Sequence, residues 1–270
     1  MNNKAIGVFD SGLGGLTAVR LLRKIMPEEN IIYFGDTGRM PYGGRSVDEI
    51  RLIARQNVEF VESKGVKAII AACGTISSNA QDILAANPTK IIGVLTPGAK
   101  ELAETGHKKL GIIATATSIA SGAFECEVKN FAPDAEVTAI ACPEFVPVIE
   151  SGHFERLDPV VRDVVARTLK PLKENGVEAM LLGCTHYGII ADAISDYMGS
   201  DVILVGAADA SARAMCAYLT ESGMLAENNA KESYYTSSSL SDFEKLAPIM
   251  LGYEMMSKAQ FVEPFPLNED

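Results

Sequence analysis

Two of the five cysteines stand where a reactive thiol would be expected, Cys73 and Cys184. Each follows an apolar segment of strand length and precedes a predicted helix, and the positive end of a helix dipole lowers the pKa of a thiol. We interpret Cys126, Cys142 and Cys216 as small buried hydrophobic residues, as most cysteines in apolar segments are. The odd number of cysteines and the lack of a CxxC pair argue against a disulfide framework and a structural zinc site.

Two opposed thiols suit the inversion of a stereocentre by proton transfer. One group removes a proton from one face of a carbon and the other delivers a proton to the opposite face, so both must lie within hydrogen-bond reach. Asp10 ends the first apolar segment and could orient a proton near Cys73, or it could only cap the helix that follows. His186 lies two residues after Cys184 and titrates near neutrality, so it could assist on the other side.

The elements that position these residues follow an alternating pattern. Segments of strand length alternate with amphipathic stretches of helical length, which predicts an α/β fold with parallel sheets. Ligands bind beyond the carboxyl ends of the strands in such sheets, and Asp10, Cys73 and Cys184 all lie at predicted strand ends. The eight predicted strands cover residues 5–9, 30–34, 66–72, 90–95, 110–114, 136–141, 179–182 and 202–205.

A weak internal duplication indicates two half-molecules. The segments KAIIAACGT and EAMLLGCTH both deliver a cysteine from an apolar strand, at similar distances from the ends of two earlier strands. No linker rich in Pro, Gly or Ser divides the chain, so we expect the boundaries near Pro97 and Ala207.

The glycines after the first strand, Gly12, Gly14 and Gly15, suggest a nucleotide loop but have the wrong spacing. They give GxGG, and Thr17 occupies the place of the last glycine in GxGxxG, which argues against a nicotinamide cofactor. We expect a tight turn that needs glycine for positive φ, before a helix whose free N–H groups could hold an anion such as a carboxylate.

Composition and charge exclude several classes of protein. The 270 residues are 47% hydrophobic with a net charge of −11, which argues against binding to nucleic acid or to an anionic membrane surface. No apolar run is long enough to span a membrane. The apolar stretch near the N-terminus is too short for a signal peptide, so we expect a cytoplasmic protein with reduced thiols.

These motifs resemble those of the glutamate racemases, in the aspartate/glutamate racemase superfamily. The matches keep their order along nearly the whole chain. The matching segments include FDSGLGG (9–15), YFGDTGRMPYGGRS (33–46), AACGTISS (71–78), ACPEFVPVIESG (141–152), LLGCTHYGII (181–190) and SYYTSSSLSDFEKLAPIMLG (233–252).

The resemblance implies two pseudo-symmetric α/β domains with mainly parallel sheets and the active site in the cleft between them. The first domain would comprise residues 1–97 and 207–270, and the second, residues 98–206, would be inserted in it. The activity would be the interconversion of L- and D-glutamate without cofactor or metal, supplying D-glutamate for peptidoglycan synthesis. A homodimer is compatible with the resemblance, since dimers are common in the family.

The resemblance also implies roles for individual residues. Cys73 and Cys184 match the paired acid–base cysteines, Asp10 and His186 match the residues that assist them, and Glu150 matches an acidic residue on the Cys184 side. The substrate-binding positions would be Asp10, Ser11, Tyr42, Gly43, Gly74, Thr75, Ser118, Thr185 and His186.

Gly74 departs from the family pattern, which has Asn at this position. The Asn contacts the amino-acid end of the substrate in the family, and the loss of one hydrogen bond to a charged group costs roughly 1.5–3 kcal/mol. The change bears on the substrate, so a racemase of the same mechanism acting on another amino acid, such as aspartate, is one alternative. A non-catalytic paralogue that binds a metabolite or a protein partner is another. A cysteine hydrolase using Cys73 and His186 is the most distant one, because it would leave the second thiol redundant.

Overall fold

The computed structural model describes residues 2–227 and 230–267, which form strands and helices in alternation. The strands are β1 (Ile6–Asp10), β2 (Ile31–Gly35), β3 (Ala68–Ala71), β4 (Ile91–Gly93), β5 (Lys109–Ala114), β6 (Glu136–Ala141), β7 (Ala179–Leu182), β8 (Ile203–Gly206), β9 (Glu232–Thr236) and β10 (Ala259–Phe261). The helices are α1 (Leu16–Ile25), α2 (Val47–Glu62), α3 (Gly74–Asn79), α4 (Gln81–Ala86), α5 (Leu95–Glu104), α6 (Ala116–Ala120), α7 (Ala123–Phe131), α8 (Phe145–Glu150), α9 (Pro159–Glu174), α10 (Ala191–Met198), α11 (Ala207–Glu221) and α12 (Leu240–Leu251), and a 3-10 helix covers Thr185–Ile190.

The strands form two sheets, and every pairing in them is parallel. The first sheet has the order β10-β9-β2-β1-β3-β4 and the second β6-β5-β7-β8. The order β2-β1-β3-β4 thus recurs as β6-β5-β7-β8, so Cys73 after β3 and Cys184 after β7 occupy equivalent places. The predicted fold class, two similar α/β units with parallel sheets, is confirmed.

The C-terminal segment returns to the first sheet. Strand β9 lies between β10 and β2, with Tyr33 opposite Tyr234. Lys67 forms a buried ion pair with Glu29, in which Nζ lies 2.6 Å from Oε2. The same Nζ donates to the carbonyl of Met224 at 2.8 Å, and this hydrogen bond holds the chain that leads to β9. The predicted domain boundaries stay a prediction. Residues 1, 228–229 and 268–270 of the first predicted domain lie outside the described residues.

The apolar patterns read from the sequence form the core. All residues of β1, β3 and β7 are buried, as expected for strands covered by helices on both faces. The eight predicted strands are confirmed to within about two residues, but β9 and β10 were not predicted. In β9 buried residues alternate with partly exposed ones, and β10 has only three residues.

Among residues 2–227 and 230–267, no helix combines the length and the apolar character needed to cross a membrane.

Candidate active site

The carboxyl ends of the two sheets face a common cavity of about 340 Å³. Both cysteines line it, together with nearly every other residue that the sequence singled out. Of the twelve predicted site residues, eleven line the cavity: Asp10, Ser11, Tyr42, Gly43, Cys73, Gly74, Thr75, Glu150, Cys184, Thr185 and His186.

Cys73 stands at the N-cap of α3 and is 4% exposed. Burial and the negative charge of Asp10 raise the pKa of its thiol to about 12, and charge on Cys184 acts in the same direction. Hydrogen bonds from the backbone N–H groups of Ile76 and Thr75 oppose this rise but are smaller. The expected lowering of the thiol pKa by the helix dipole is therefore wrong for Cys73, because desolvation of the thiolate outweighs the N–H groups of a six-residue helix.

Cys184 ends the turn after β7 and has a different neighbourhood. Its Sγ lies 3.8 Å from Nδ1 of His186, and Nε2 of the same ring lies 3.0 Å from Oε1 of Glu150. Burial alone would lower the pKa of His186, but the hydrogen bonds to Cys184 and Glu150 and the negative charges of Cys184 and Asp10 outweigh it. The pKa of His186 is raised well above its ordinary value, so the imidazolium can pass a proton to the adjacent sulfur.

Asp10 both organises the turn after β1 and presents an oxygen to the cavity. Its Oδ2 accepts hydrogen bonds from the N–H of Gly15 at 2.9 Å and from the Thr185 hydroxyl at 3.5 Å. Within the described part of the chain its buried Oδ1 has no hydrogen-bond partner. Its acceptor capacity is therefore not used by the described residues. Asp10 is not the N-cap of α1, which is Gly15 without a side-chain cap, but it accepts from the N–H of that residue. Its role at the site stays a prediction.

The β1–α1 turn needs glycines because there is no room for a Cβ atom, and not because its backbone requires positive φ. None of Gly12, Gly14 and Gly15 has φ in the left-handed region, so the expectation of positive φ is wrong. A Cβ on Gly14 would lie 2.6 Å from Nδ1 of His186, and one on Gly15 would lie 2.7 Å from Cβ of Asp10. This turn can approach the Cys184 side only because it lacks side chains there.

A loop from the first sheet closes one side of the cavity, with a cis peptide bond between Met40 and Pro41. The Tyr42 hydroxyl in this loop donates to Asp36 and accepts from Asn57 at 3.1 Å. The hydrogen bonds of this hydroxyl are therefore made to residues on the side of the first sheet. The Thr117 hydroxyl, from the second sheet's side, donates to the carbonyl of Gly43 at 2.5 Å and fixes the loop across the cleft.

Ser118 is the predicted site residue that does not line the cavity. It is 0% exposed, and its hydroxyl lies 2.8 Å from that of Thr115. Thr115 does line the cavity, and its hydroxyl also lies 3.0 Å from that of Thr75 across the cleft. Thr115 was missed as a site residue, although its place directly after β5, equivalent to that of Asp10 at the end of β1, was a signal for it.

The far wall of the cavity contains Cys142, Pro143, Val146 and Pro147. Cys142, interpreted from the sequence as a packing residue, is 1% exposed, and burial together with charge on Cys184 raises the pKa of its thiol. A neutral Cys142 therefore adds to the apolar part of the wall.

The charged groups around the cavity are acidic apart from the imidazole of His186. No Lys or Arg side chain occurs among the described residues that line it. Apart from His186, the donors to a bound carboxylate must therefore be backbone N–H groups and hydroxyls, which the strand ends and helix N-termini supply. The arrangement offers two thiols around one space, each beside a different acid–base group. It suits removal of a proton from one face of a carbon and delivery of a proton to the opposite face.

A larger cavity of about 580 Å³ lies behind the Cys184 turn. It shares Cys184 and Thr185 with the first cavity but contains neither Cys73 nor Asp10, and Arg20 and Arg156 line it. The smaller cavity is the candidate site because both thiols meet there. Over the described ranges, no group of three or more His, Cys, Asp or Glu side chains is placed to hold a metal ion.

Comparison with known proteins gives a consistent result. Residues 17–238 match the family model described as Asp/Glu/Hydantoin racemase. The chain is 38% identical over 258 residues to a glutamate racemase of Thermoanaerobacter pseudethanolicus, covering 93% of this chain and 95% of the relative. It is 36% identical over 264 residues to one of Enterococcus faecalis, covering 96% of each.

Solved structures resemble the fold over its whole length. A glutamate racemase isoform of Bacillus anthracis superposes with a TM-score of 0.92 at 32% identity, covering 98% of this chain and 100% of that one. The glutamate racemase of Francisella tularensis in complex with D-glutamate superposes with a TM-score of 0.90 at 34% identity, covering 98% of this chain and 99% of that one.

Proposed function

The chain belongs to the Asp/Glu/hydantoin racemase family and is an amino-acid racemase, and from this premise we propose that it interconverts L- and D-glutamate. The single observation that carries the mechanism is the meeting of Cys73 and Cys184 at one cavity. The relatives named above, which are glutamate racemases at 36–38% identity, support the choice of substrate.

In the proposed mechanism one cysteine, in its thiolate form, removes the proton from the α-carbon. The other cysteine, as a neutral thiol, donates a proton to the opposite face of that carbon. Glu150 supports a protonated His186, which exchanges a proton with Cys184 at 3.8 Å. Burial and the negative charge of Asp10 both disfavour the thiolate form of Cys73, so Cys73 is the acid in this direction of the reaction. When Cys73 and Cys184 exchange these roles, the same residues catalyse the reverse reaction.

The substrate would be held by groups of opposite polarity. The unpartnered Oδ1 of Asp10 is suited to the α-ammonium group. Ser11, Thr75 and Thr185 supply hydroxyls, and the backbone N–H groups of the strand-end turns supply donors for the carboxylates. Removal of water from this space strengthens all these interactions.

Aspartate is the second candidate substrate. Gly74 motivates it, because the amide that the family places there for the amino-acid end of its substrate is missing. A panel of L-amino acids followed by chiral chromatography separates the two, and a rate with glutamate far above all others excludes aspartate.

The cellular role follows from the proposed reaction. D-glutamate would supply peptidoglycan synthesis, and we place the enzyme in the cytoplasm as a homodimer, in keeping with the family resemblance. Analytical ultracentrifugation tests the dimer, and a single monomeric species at micromolar concentration would contradict it.

The proposed activity is tested by deuterium exchange in D2O. Each enantiomer of glutamate should gain deuterium at the α-carbon, measured by NMR. Folded protein that exchanges neither enantiomer would refute the proposal.

The two-thiol mechanism is tested with Cys73→Ser and Cys184→Ser, each of which should reduce racemisation at least about 100-fold because a hydroxyl is a far weaker acid than a thiol. Cys126→Ser is the matched control, since Cys126 is exposed and lies outside the cavity. The expectation from the sequence that Cys126 and Cys216 are buried is wrong, because Cys126 is exposed and Cys216 only partly buried. Full activity in either of the first two variants would contradict the assigned roles.

A further inference from the structure

Tyr33 lies beneath the turn that follows Asp10. It belongs to β2, which pairs with β1, and its side chain is buried. Its hydroxyl donates to the carbonyl of Gly12 at 2.7 Å. Its ring lies against Gly15, where a Cβ atom would be 3.2 Å from Cε2 of Tyr33. One tyrosine therefore supports the turn at two points.

The carbonyl of Gly12 is also enclosed from a second direction. A Cβ atom on Gly35, the last residue of β2, would lie 2.5 Å from that carbonyl oxygen. Gly12 has no Cβ atom of its own, so its backbone conformation is only weakly restricted by local contacts. The hydroxyl of Tyr33 and the space above Gly35 therefore determine where this carbonyl lies.

The same turn holds the carboxylate of Asp10. Oδ2 of Asp10 accepts a hydrogen bond from the N–H of Gly15 at 2.9 Å and lies 3.4 Å from the N of Gly12. After burial, the charge of this carboxylate is the largest cause of the raised pKa of Cys73. A shift of the Gly12 carbonyl moves the turn residues that hold the carboxylate, and it thereby changes the environment of the thiol.

We propose that Tyr33 is a positioning residue for the racemisation, which acts through the β1–α1 turn and fixes the carboxylate of Asp10 beside Cys73. The inference rests on the proposed function, because it concerns the same acid–base groups. Tyr33 does not occur among the described residues that line the active cavity, so its effect is indirect. A displacement of about 1 Å at a reacting group costs about 100-fold in rate. The loss of one hydroxyl allows a smaller shift, so Tyr33→Phe should lower kcat about 10-fold.

Tyr234→Phe is the matched control. Tyr234 lies opposite Tyr33 in the neighbouring strand β9, is equally buried, and shares the aromatic neighbour Phe243. Its hydroxyl donates to Glu232 and not to the turn. Each variant removes one buried hydroxyl, so both should lower the melting temperature. Only Tyr33→Phe should lower kcat.

A double-mutant cycle with Asp10→Asn shows whether Tyr33 acts through Asp10. Tyr33→Phe should lower kcat about 10-fold in the unaltered chain but less than about twofold in Asp10→Asn, because the charge that it positions is then absent. The pH dependence of the alkylation of Cys73 by iodoacetamide is a second measurement. It should shift in Tyr33→Phe, because the charge of Asp10 acts on this thiol, and should stay unchanged in Tyr234→Phe.

Three results would overturn the proposal. The first is a Tyr33→Phe variant in which either kcat or the pH dependence of Cys73 alkylation is unchanged. The second is a loss of kcat that is equally large in the Asp10→Asn background, and the third is the same loss of kcat in Tyr234→Phe.

Gly35→Ala provides a second variant if Tyr33→Phe does not fold. Its Cβ atom displaces the same Gly12 carbonyl from the other side and should have the same effects on kcat and on Cys73. If neither variant folds, the proposal is wrong, because the contact then serves folding. If the unaltered chain racemises no amino acid, the proposed function fails, whereas the alkylation of Cys73 still decides whether Tyr33 positions Asp10.

Discussion

Replacement of Glu150 by Gln tests whether this carboxylate keeps His186 protonated. The two side chains are joined at 3.0 Å, with His186 3% and Glu150 21% exposed. A hydrogen bond to a charged group contributes about 1.5–3 kcal/mol, and one pKa unit corresponds to about 1.4 kcal/mol. Glu150→Gln should therefore lower the pKa of His186 from its raised value, because the imidazolium loses about 1.5–3 kcal/mol of stabilisation relative to the neutral ring.

The direction of the effect on stability follows from the same shift. A histidine whose pKa is raised on folding stabilises the protein fully below the pKa of the unfolded state, and this stabilisation is lost as pH rises through the folded pKa. The variant should therefore lose stability mainly at acid pH and approach the unaltered chain at alkaline pH. Thermal melting at several pH values measures this difference.

The assay is an NMR titration of the imidazole resonances, combined with the pH profile of kcat/KM. The chain has three histidines, and His107 and His153 have more exposed side chains, 37% and 44%, so they serve as internal references. Glu144→Gln is the matched control. It removes an exposed ion pair with Arg167 at 2.5 Å and should leave His186 unchanged. An unchanged His186 titration in Glu150→Gln would refute the reasoning.

Three further predictions concern reactivity, the cis-proline loop and the glycine turn. With iodoacetamide at pH 8, the exposed Cys126 should be modified before Cys73. Cys73 has a pKa of about 12, so its thiolate fraction is about 1000-fold below that of an ordinary thiol. Mass spectrometry of peptides gives the order of modification, and rapid labelling of Cys73 would contradict the prediction. Asn57→Ala should raise KM and cost about 1–3 kcal/mol of stability, because it leaves buried hydrogen-bonding groups without a partner; an unchanged KM and melting temperature would oppose this. Gly14→Ala should lower kcat by about 10- to 100-fold, because its Cβ would lie 2.6 Å from Nδ1 of His186; steady-state kinetics at normal activity would exclude such a displacement.

The sequence predicted the fold well where local pattern determines it. Continuous apolar strands such as β3 and β7 are buried on both faces, and this pattern is visible residue by residue. Strand β9 was missed because it alternates between buried and partly exposed residues and contains no long apolar run. Its place beside β2 depends on a pairing between residues far apart in the chain, which periodicity does not encode.

The site was predicted through its strand ends, and its electrostatics were not. The pKa of Cys73 depends on burial and on Asp10, which comes from the neighbouring strand β1. The helix dipole, in contrast, depends only on the residues that follow the cysteine in the chain. Thr115 could have been found from its place after β5. Cys142 reaches the cavity because of how the two sheets face one another, and no local pattern in the sequence describes that arrangement.

The place of β9 in the first sheet has a consequence for synthesis of the chain. Strand β2 ends at Gly35, and its outer neighbour begins at Glu232, so about 200 residues must be made before the edge of β2 is covered. At about 5–20 residues per second the ribosome needs about 10–40 s for this. The strands β5 to β8 are contiguous in the chain and can pair during that time, whereas the nascent first sheet exposes a strand edge that invites pairing with other chains. Chaperone demand during translation should therefore come from the first sheet and end when β9 emerges.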